Sequence, residues 1–230
     1  TSDYEYYSYF IPETNGDFSL AEGWQTRTLA DYSHAEGNLT TSQGNYSHAE
    51  GNTTIALGEY SHTEGYLTTS IGLYSHAEGY LTIAGGYGSH AGGYGLASKL
   101  ENSKVIASGD TSFAHFRVTN DLGTIGSYGD YSAILGGNDH NIGTGSTSSG
   151  IFAGSNNTIS DDVLRTVVLG GGNITGTIDD TVYVPYLNIN NIDNDDSLTQ
   201  ILSRDNSDGS IKYRDVSSIS TDDFYVSGGT

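Results

Sequence analysis

Residues 32–65 read YSHAEGNLTTSQGNYSHAEGNTTIALGEYSHTEG. The phrase Tyr-Ser-His-(Ala/Thr)-Glu-Gly occurs three times in that stretch. Downstream it returns as YSHAEG at 74–79 and decays to GSHAGG at 88–93, and an earlier, worn copy lies at Ser19–Gly23. Ser33, Ser47, Ser61, Ser75 and Ser89 therefore stand 14 residues apart, each followed by a histidine. Each unit splits into two halves of seven. Ser33-x-Ala35-x-Gly37 is followed by Thr40-x-Ser42-x-Gly44, and Ser47-x-Ala49-x-Gly51 by Thr54-x-Ala56-x-Gly58. A coiled coil is excluded, because heptads need apolar a and d positions and a glycine in every heptad opposes a helix. The alternation inside each half is by two, which is strand periodicity. Glycine then closes each short strand where the chain must turn.

Each 14-residue unit thus reads as one coil of a solenoid, with two short strands and two turns. Successive coils stack strand on strand in parallel, about 4.8 Å apart. The inward column is Ser, Ala and Thr only, so the core is thin, and single coils have no independent stability. A second repeat, of period 17, aligns Ser132-Ala-Ile134-Leu-Gly136 with Ser149-Gly-Ile151-Phe-Ala153 and Thr166-Val-Val168-Leu-Gly170. These are expected to be wider coils of the same kind. The fold expected is all-β: a parallel β-roll or β-solenoid with 14-residue coils, then wider 17-residue repeats and a C-terminal β-hairpin. The chain divides into a cap at 1–18, the 14-residue-repeat roll at 19–93, an irregular continuation at 94–131, the 17-residue repeats at 132–176, and a neck, hairpin and linker at 177–230. In the last part Thr181–Ile189 reads as a strand leaving the roll, with Pro185 at an edge. Ile201–Arg204 and Ile211–Arg214 read as the hairpin.

The outward columns differ in character. His34, His48, His62, His76 and His90 stand beside Glu36, Glu50, Glu64 and Glu78 on one face. Leu39, Ile55, Leu57, Leu67, Ile71, Leu81 and Ile83 fall on another, apolar enough to seek a partner, and side-by-side assembly with closed symmetry follows. Tyr32, Tyr46, Tyr60 and Tyr74 form a third ladder at a corner.

Composition limits the partners. Among 230 residues there are 28 Asp+Glu against 8 Lys+Arg, for a formal charge of −20. So few cations cannot neutralise phosphates, and nucleic acid is excluded as a partner. Cysteine is absent, which removes disulfides, zinc–thiolate sites and thiol catalysis. No apolar run approaches 18 residues, so no membrane insertion is expected, and no secretion leader is visible. With no Met at all, the chain reads as a processed product or a piece of a longer polypeptide. Aromatics at 11% and a regular repeat argue against disorder.

The S-x-A-x-G and T-x-A-x-G half repeats resemble the head repeats of trimeric autotransporter adhesins, over about residues 19–93 and more loosely over 94–175. That resemblance implies parallel β-rolls associated as homotrimers and adhesion at a cell surface. The Ile-Leu-Gly-Gly-Asn repeat, Thr181–Ile189 and Arg204–Arg214 look more like bacteriophage tail fibres and tailspikes that borrow the same roll. No heptad stalk or C-terminal barrel is visible, which favours the phage fibre. The function implied is a structural or receptor-binding segment of a virion tail fibre, binding a bacterial surface glycan or protein. The alternatives are the extracellular head of a bacterial surface adhesin, and a tailspike that degrades polysaccharide.

Repeated Ser-His-Glu invites a hydrolase, but a triad is one constellation rather than five copies in a column. A tailspike enzyme would need a carboxylate pair within 94–131 or between subunits. No catalytic residue is assigned. The His and Glu columns are expected to be polar ladders, with the histidines mostly neutral at pH 7, rather than a metal site. No cofactor is assigned, although calcium suits the oxygen-rich loops at Asp193, Asp195, Asp196, Asp205 and Asp208. The Asn38, Asn45, Asn52, Asn156 and Asn173 sequons are read as repeat chemistry. Ice binding would need regular Thr-x-Thr rows, and positions 39, 55 and 83 break them.

Overall fold

The computed structural model describes residues 12–97, 102–120, 125–186, 200–204 and 211–215. The chain divides into one unit ending at Tyr186 and a second from Leu187 onward. The first is all-β, a parallel β-solenoid of about 11 turns with no helix among the described residues. Consecutive strands alternate between two parallel sheets of 11 strands each. The first sheet runs through Arg27–Thr28, Thr41–Ser42, Ile55–Ala56 and Thr69–Ser70. The second runs through His34–Asn38, His48–Asn52, His62–Thr63 and His76–Ala77. In the second unit Gln200–Arg204 pairs antiparallel with Ile211–Asp215.

The register lays like on like. His34 lies opposite His48, His48 opposite His62, and His76 between His62 and His90. Beyond that, His90 pairs with Phe113, Phe113 with Ala133, Ala133 with Gly150 and Gly150 with Val167. Both sheets pass through residues 94–131, and the extra length there is carried partly by a small hairpin, Leu96–Ala97 against Asn102–Ser103. The roll also reaches further at each end than the repeats alone indicate. Glu13–Thr14 already pairs with Arg27–Thr28, and Val182–Tyr183 stays in the second sheet against Val167–Val168.

The turns bear out the expectation in part. Glycine closes the strands of the second sheet with a positive φ, 105–109° at Gly37, Gly51 and Gly65, but other residues take the left-handed conformation at the adjoining corners. Tyr32, Tyr46, Tyr60 and Tyr74 have φ of 54–58°, as do Leu39, Thr53, Leu67 and Leu81 within a few degrees. Such a conformation costs a non-glycine residue about 1–2 kcal/mol. It recurs because each corner N–H bonds to the preceding coil: Tyr46 N–H to the Asp31 carbonyl at 3.0 Å, and Leu39 N–H to the Trp24 carbonyl at 2.9 Å. The tyrosine rings add a stack with centroids 4.9, 5.0 and 5.0 Å apart from Tyr32 to Tyr74.

The other glycine column serves close approach. Gly44, Gly58 and Gly72 are not left-handed, yet a Cβ on Gly58 would lie 2.0 Å from the Gly72 carbonyl oxygen. Backbone meets backbone there, and no side chain can swing aside.

The core changes along the axis. In the early coils it is Ala35, Ala49, Ala56 and Ala77 with Ser33, Ser42, Thr40 and Thr54, all buried. Sheet meets sheet through hydroxyls: Ser42 Oγ and Ser47 Oγ are 2.6 Å apart, and Ser47 Oγ donates to the Gly44 carbonyl. From Val105 the core widens to Phe116, Ile134, Ile142, Ile151, Ile159 and Val168. The larger side chains enter the core where the register step lengthens from 14 residues, His76 to His90, to 23, His90 to Phe113.

Gly58→Ala should therefore destabilise the roll by about 1–3 kcal/mol or more, as overpacking does. Thermal unfolding followed by circular dichroism would check this; an unchanged melting temperature would mean the coils do not approach this closely.

Candidate functional site

The second sheet turns its histidine and glutamate columns outward, half-buried, while the alternating Ala35, Ala49 and Ala77 point into the core. Period-two alternation in register puts like beside like. The imidazoles stack at centroid spacings of 4.7, 4.9, 4.9 and 4.8 Å from His34 to His90. The first three pairs are near-parallel, and His76–His90 is edge-on at 61°.

Each histidine reaches back to the glutamate of the preceding coil, not to the one two residues ahead. Nε2 of His34, His48 and His62 lies 3.3 Å from carboxylate oxygens of Glu22, Glu36 and Glu50. His90 Nε2 is 3.2 Å from Glu78, while His76 stands 3.6 Å from Glu64. An ionised carboxylate only accepts, so the imidazole Nε2 carries the proton and donates. A neutral Nε2–H tautomer meets that need without charge. A column of carboxylates in register would repel itself, and one imidazole N–H per carboxylate offsets this from coil to coil.

His48 shows the balance. Burial first, then the neighbouring His62 and His34, hold its imidazole below the ordinary value, and they outweigh the opposing pull of Glu50 and Glu36. The repeated Ser-His-Glu phrase does not assemble a triad. Ser33 and Ser75 are buried on the opposite side of the strand from the histidines, their Oγ atoms donating to the Ala30 and Gly72 carbonyls.

The apolar candidates fall into three groups. Ile55 and Ile83 alternate with Thr41 and Thr69 in one half-buried column of the first sheet. Leu57 and Ile71 are exposed beside it, Ile71 by 48%. Leu39 and Leu67 sit on the left-handed corner, partly exposed. Leu81 departs from its group: it is 1% exposed within its own chain. The strand leaving Tyr94 folds over it so closely that a Cβ at Gly95 would lie 2.6 Å from Leu81 Cβ. It is therefore a core residue, not a subunit contact. The acidic loops proposed for calcium lie outside the described residues.

Several features escape the repeat reading. Glu22 belongs to the glutamate column, its worn phrase having lost the histidine. Tyr66, Tyr80 and Tyr94 make a second stack at 5.4 and 4.7 Å, and the Arg117 guanidinium lies 5.9 Å from the Tyr94 ring centroid. Their spacing of 14 was the available signal. Past His115 the glutamate column turns apolar, with Leu135, Phe152 and Leu169 exposed in register. His140 is fully buried, burial pushes its imidazole down, and its Nδ1 accepts the Asn157 N–H.

These columns on two parallel sheets define the chain as a β-solenoid with a polar His–Glu face and an apolar face. Comparison with protein-family models and with curated protein sequences found no match.

A histidine held below its unfolded value of about 6.5 binds fewer protons folded than unfolded, so its contribution to stability is full above that value. It declines as pH falls toward the folded value. Melting temperatures of the parent should fall from pH 7.5 to 5.5 more steeply than those of His48→Gln. A parent curve no steeper than the variant's would contradict the assignment at His48.

Proposed function

We propose that the chain is a structural and receptor-binding segment of a bacteriophage tail fibre, assembled as a homotrimer and attaching the virion to a bacterial surface glycan or protein. Its coils advance by 14 residues and later by 17. The single observation that carries this reading is the parallel roll with Leu57, Ile71 and Leu39 exposed and the Ile55/Ile83 column half-buried beside them. A thin roll of alanine and serine gains little from its own core. Burying an apolar outer column against two further copies adds the contact the single chain lacks. The resemblance to adhesin heads and phage fibres supplies the symmetry and the role. The His–Glu face and the tyrosine ladders stay outward, available to a polar ligand such as a glycan. The head of a bacterial surface adhesin is the runner-up, and the same trimer would serve it.

Light scattering on the purified chain should give about three times its 24.3 kDa mass, falling to the monomer in the double variant Leu57→Asp/Ile71→Asp. The labelled trimer should bind saturably to cells of a susceptible bacterial strain and be displaced by that strain's extracted surface polysaccharide. A monodisperse monomer would overturn the assembly, and failure to bind any of a broad strain panel would overturn the receptor-binding role. Shortening of the polysaccharide on incubation would assign a tailspike enzyme instead.

A further inference from the structure

We propose that Glu78, His90 and His115 form a binding site for one divalent transition-metal ion of the zinc class, at the coil where the histidine ladder ends. Down the glutamate column the register runs through Glu36 and Glu50, and then reaches Gly92, which lies opposite His115 on the next coil. Gly92 has no side chain, and the space it leaves is walled by the two flanking groups. A Cβ there would meet His115 Nδ1 at 2.9 Å and Glu78 Oε1 at 3.1 Å. In the histidine column Phe113 takes the next place after His90. The imidazole has in effect moved across, from the histidine column into the glutamate column.

Three donors converge as a result. Glu78 Oε1 is 3.2 Å from His90 Nε2 and 3.9 Å from His115 Nδ1, and all three donor atoms lie within 4.8 Å of one another. Donors placed tetrahedrally about 2.1 Å from zinc stand roughly 3.4 Å apart, so small side-chain rotations suffice. Two imidazoles and one carboxylate are a common zinc set, with water in the fourth position. The side chains are 30–51% exposed, leaving an open path for the ion and its water.

Elsewhere on the face, His34–Glu36–His48 and His48–Glu50–His62 share His48, and Glu64–His76–Glu78 shares Glu78 with the site proposed. An ion within the ladder would take ligands from the coils on both sides and break the His–Glu bonds of each, whereas at its end the ion replaces the single His90–Glu78 bond and the Nε2 proton that makes it. Among the described residues, only the trio of Glu78, His90 and His115 draws a second imidazole from outside the repeat. His90 is also the ring that stands edge-on to its neighbour, out of the parallel stack. An ion here would tie together three successive coils, through Glu78 just after the strand His76–Ala77 and through the strands His90–Tyr94 and Phe113–Arg117, where the register step lengthens.

The test uses the full chain, treated with EDTA, desalted and titrated with zinc chloride by calorimetry, with melting temperatures followed in parallel. The expected result is saturable binding of one ion per chain and a rise in melting temperature, as any ligand of the folded state produces. Both should be lost in His115→Ala and in Glu78→Gln and kept in His48→Gln. Circular dichroism would verify that each variant retains the parent's β-sheet spectrum. Absence of saturable binding in the parent would overturn the proposal. So would binding unchanged in His115→Ala but weakened in His48→Gln, which would place the ion on the repeating ladder.

Discussion

The backbone-to-backbone approach of successive coils is the constraint on which the other features depend. Parallel strands in register sit about 4.8 Å apart, and the turns between them must stack at the same spacing. Gly16, Gly44, Gly58 and Gly72 are where this is tightest, each with a carbonyl oxygen of the next coil 1.9–2.0 Å from where a Cβ would be. Once the coils are this close, every outward position becomes a column. Tyrosine must stack on tyrosine and histidine on histidine, and charges must be matched from coil to coil. The left-handed Tyr and Leu corners, unfavourable for isolated residues, are held by the same stacking through their inter-coil hydrogen bonds.

The electrostatics follow from the columns. A chain with formal charge −20 would gain nothing from lining up carboxylates, yet Glu22, Glu36 and Glu50 stand in register. The imidazole donors offset that repulsion, and a neutral histidine does so without repelling its own neighbours. Burial and adjacent imidazoles keep His48 on the neutral side. Where the repeat fails at Gly92, the balance of donors and carboxylates changes, and His115 comes onto Glu78. Beyond it the column turns to Leu135, Phe152 and Leu169, so one continuous face is polar at one end and apolar at the other.

Much of this was legible in the sequence, because a repeat converts spacing into position. The two-residue alternation within each seven put Ala35 and Ala49 inside and His34 and His48 outside. The spacing of 14 put the histidines in a column. What the repeat could not show was the hydrogen-bond partner: Glu36 is the neighbour of His34 in sequence, but Glu22 is its neighbour in space, since Nε2 reaches across to the preceding coil. Leu81 looked like Leu39 and Leu67 because its own phrase is intact. Only the path of the chain after Tyr94, which no period describes, covers it. His115 was hidden for the same reason, lying in the stretch where spacing lapses. The spacing marks both glycine columns as turns, which Gly37, Gly51 and Gly65 bear out with positive φ, but at Gly44, Gly58 and Gly72 the need is room for the next coil's backbone, a distinction that needs three-dimensional register.

The coil-on-coil register can be measured directly, because the chain has no cysteine and engineered pairs react against an empty background. Glu36 and Glu50 are outward partners on adjacent coils, within the Cα separation of about 4.4–6.8 Å that a disulfide spans. Glu36→Cys/Glu50→Cys should therefore oxidise to an intramolecular disulfide under mild conditions, seen as a 2 Da loss by mass spectrometry (roughly two hydrogens). Glu36→Cys/Glu64→Cys, two coils and about 9.6 Å apart, should stay reduced within the chain. Equal oxidation of both pairs, or of the second alone, would contradict the stacked register on which the fold and its columns rest.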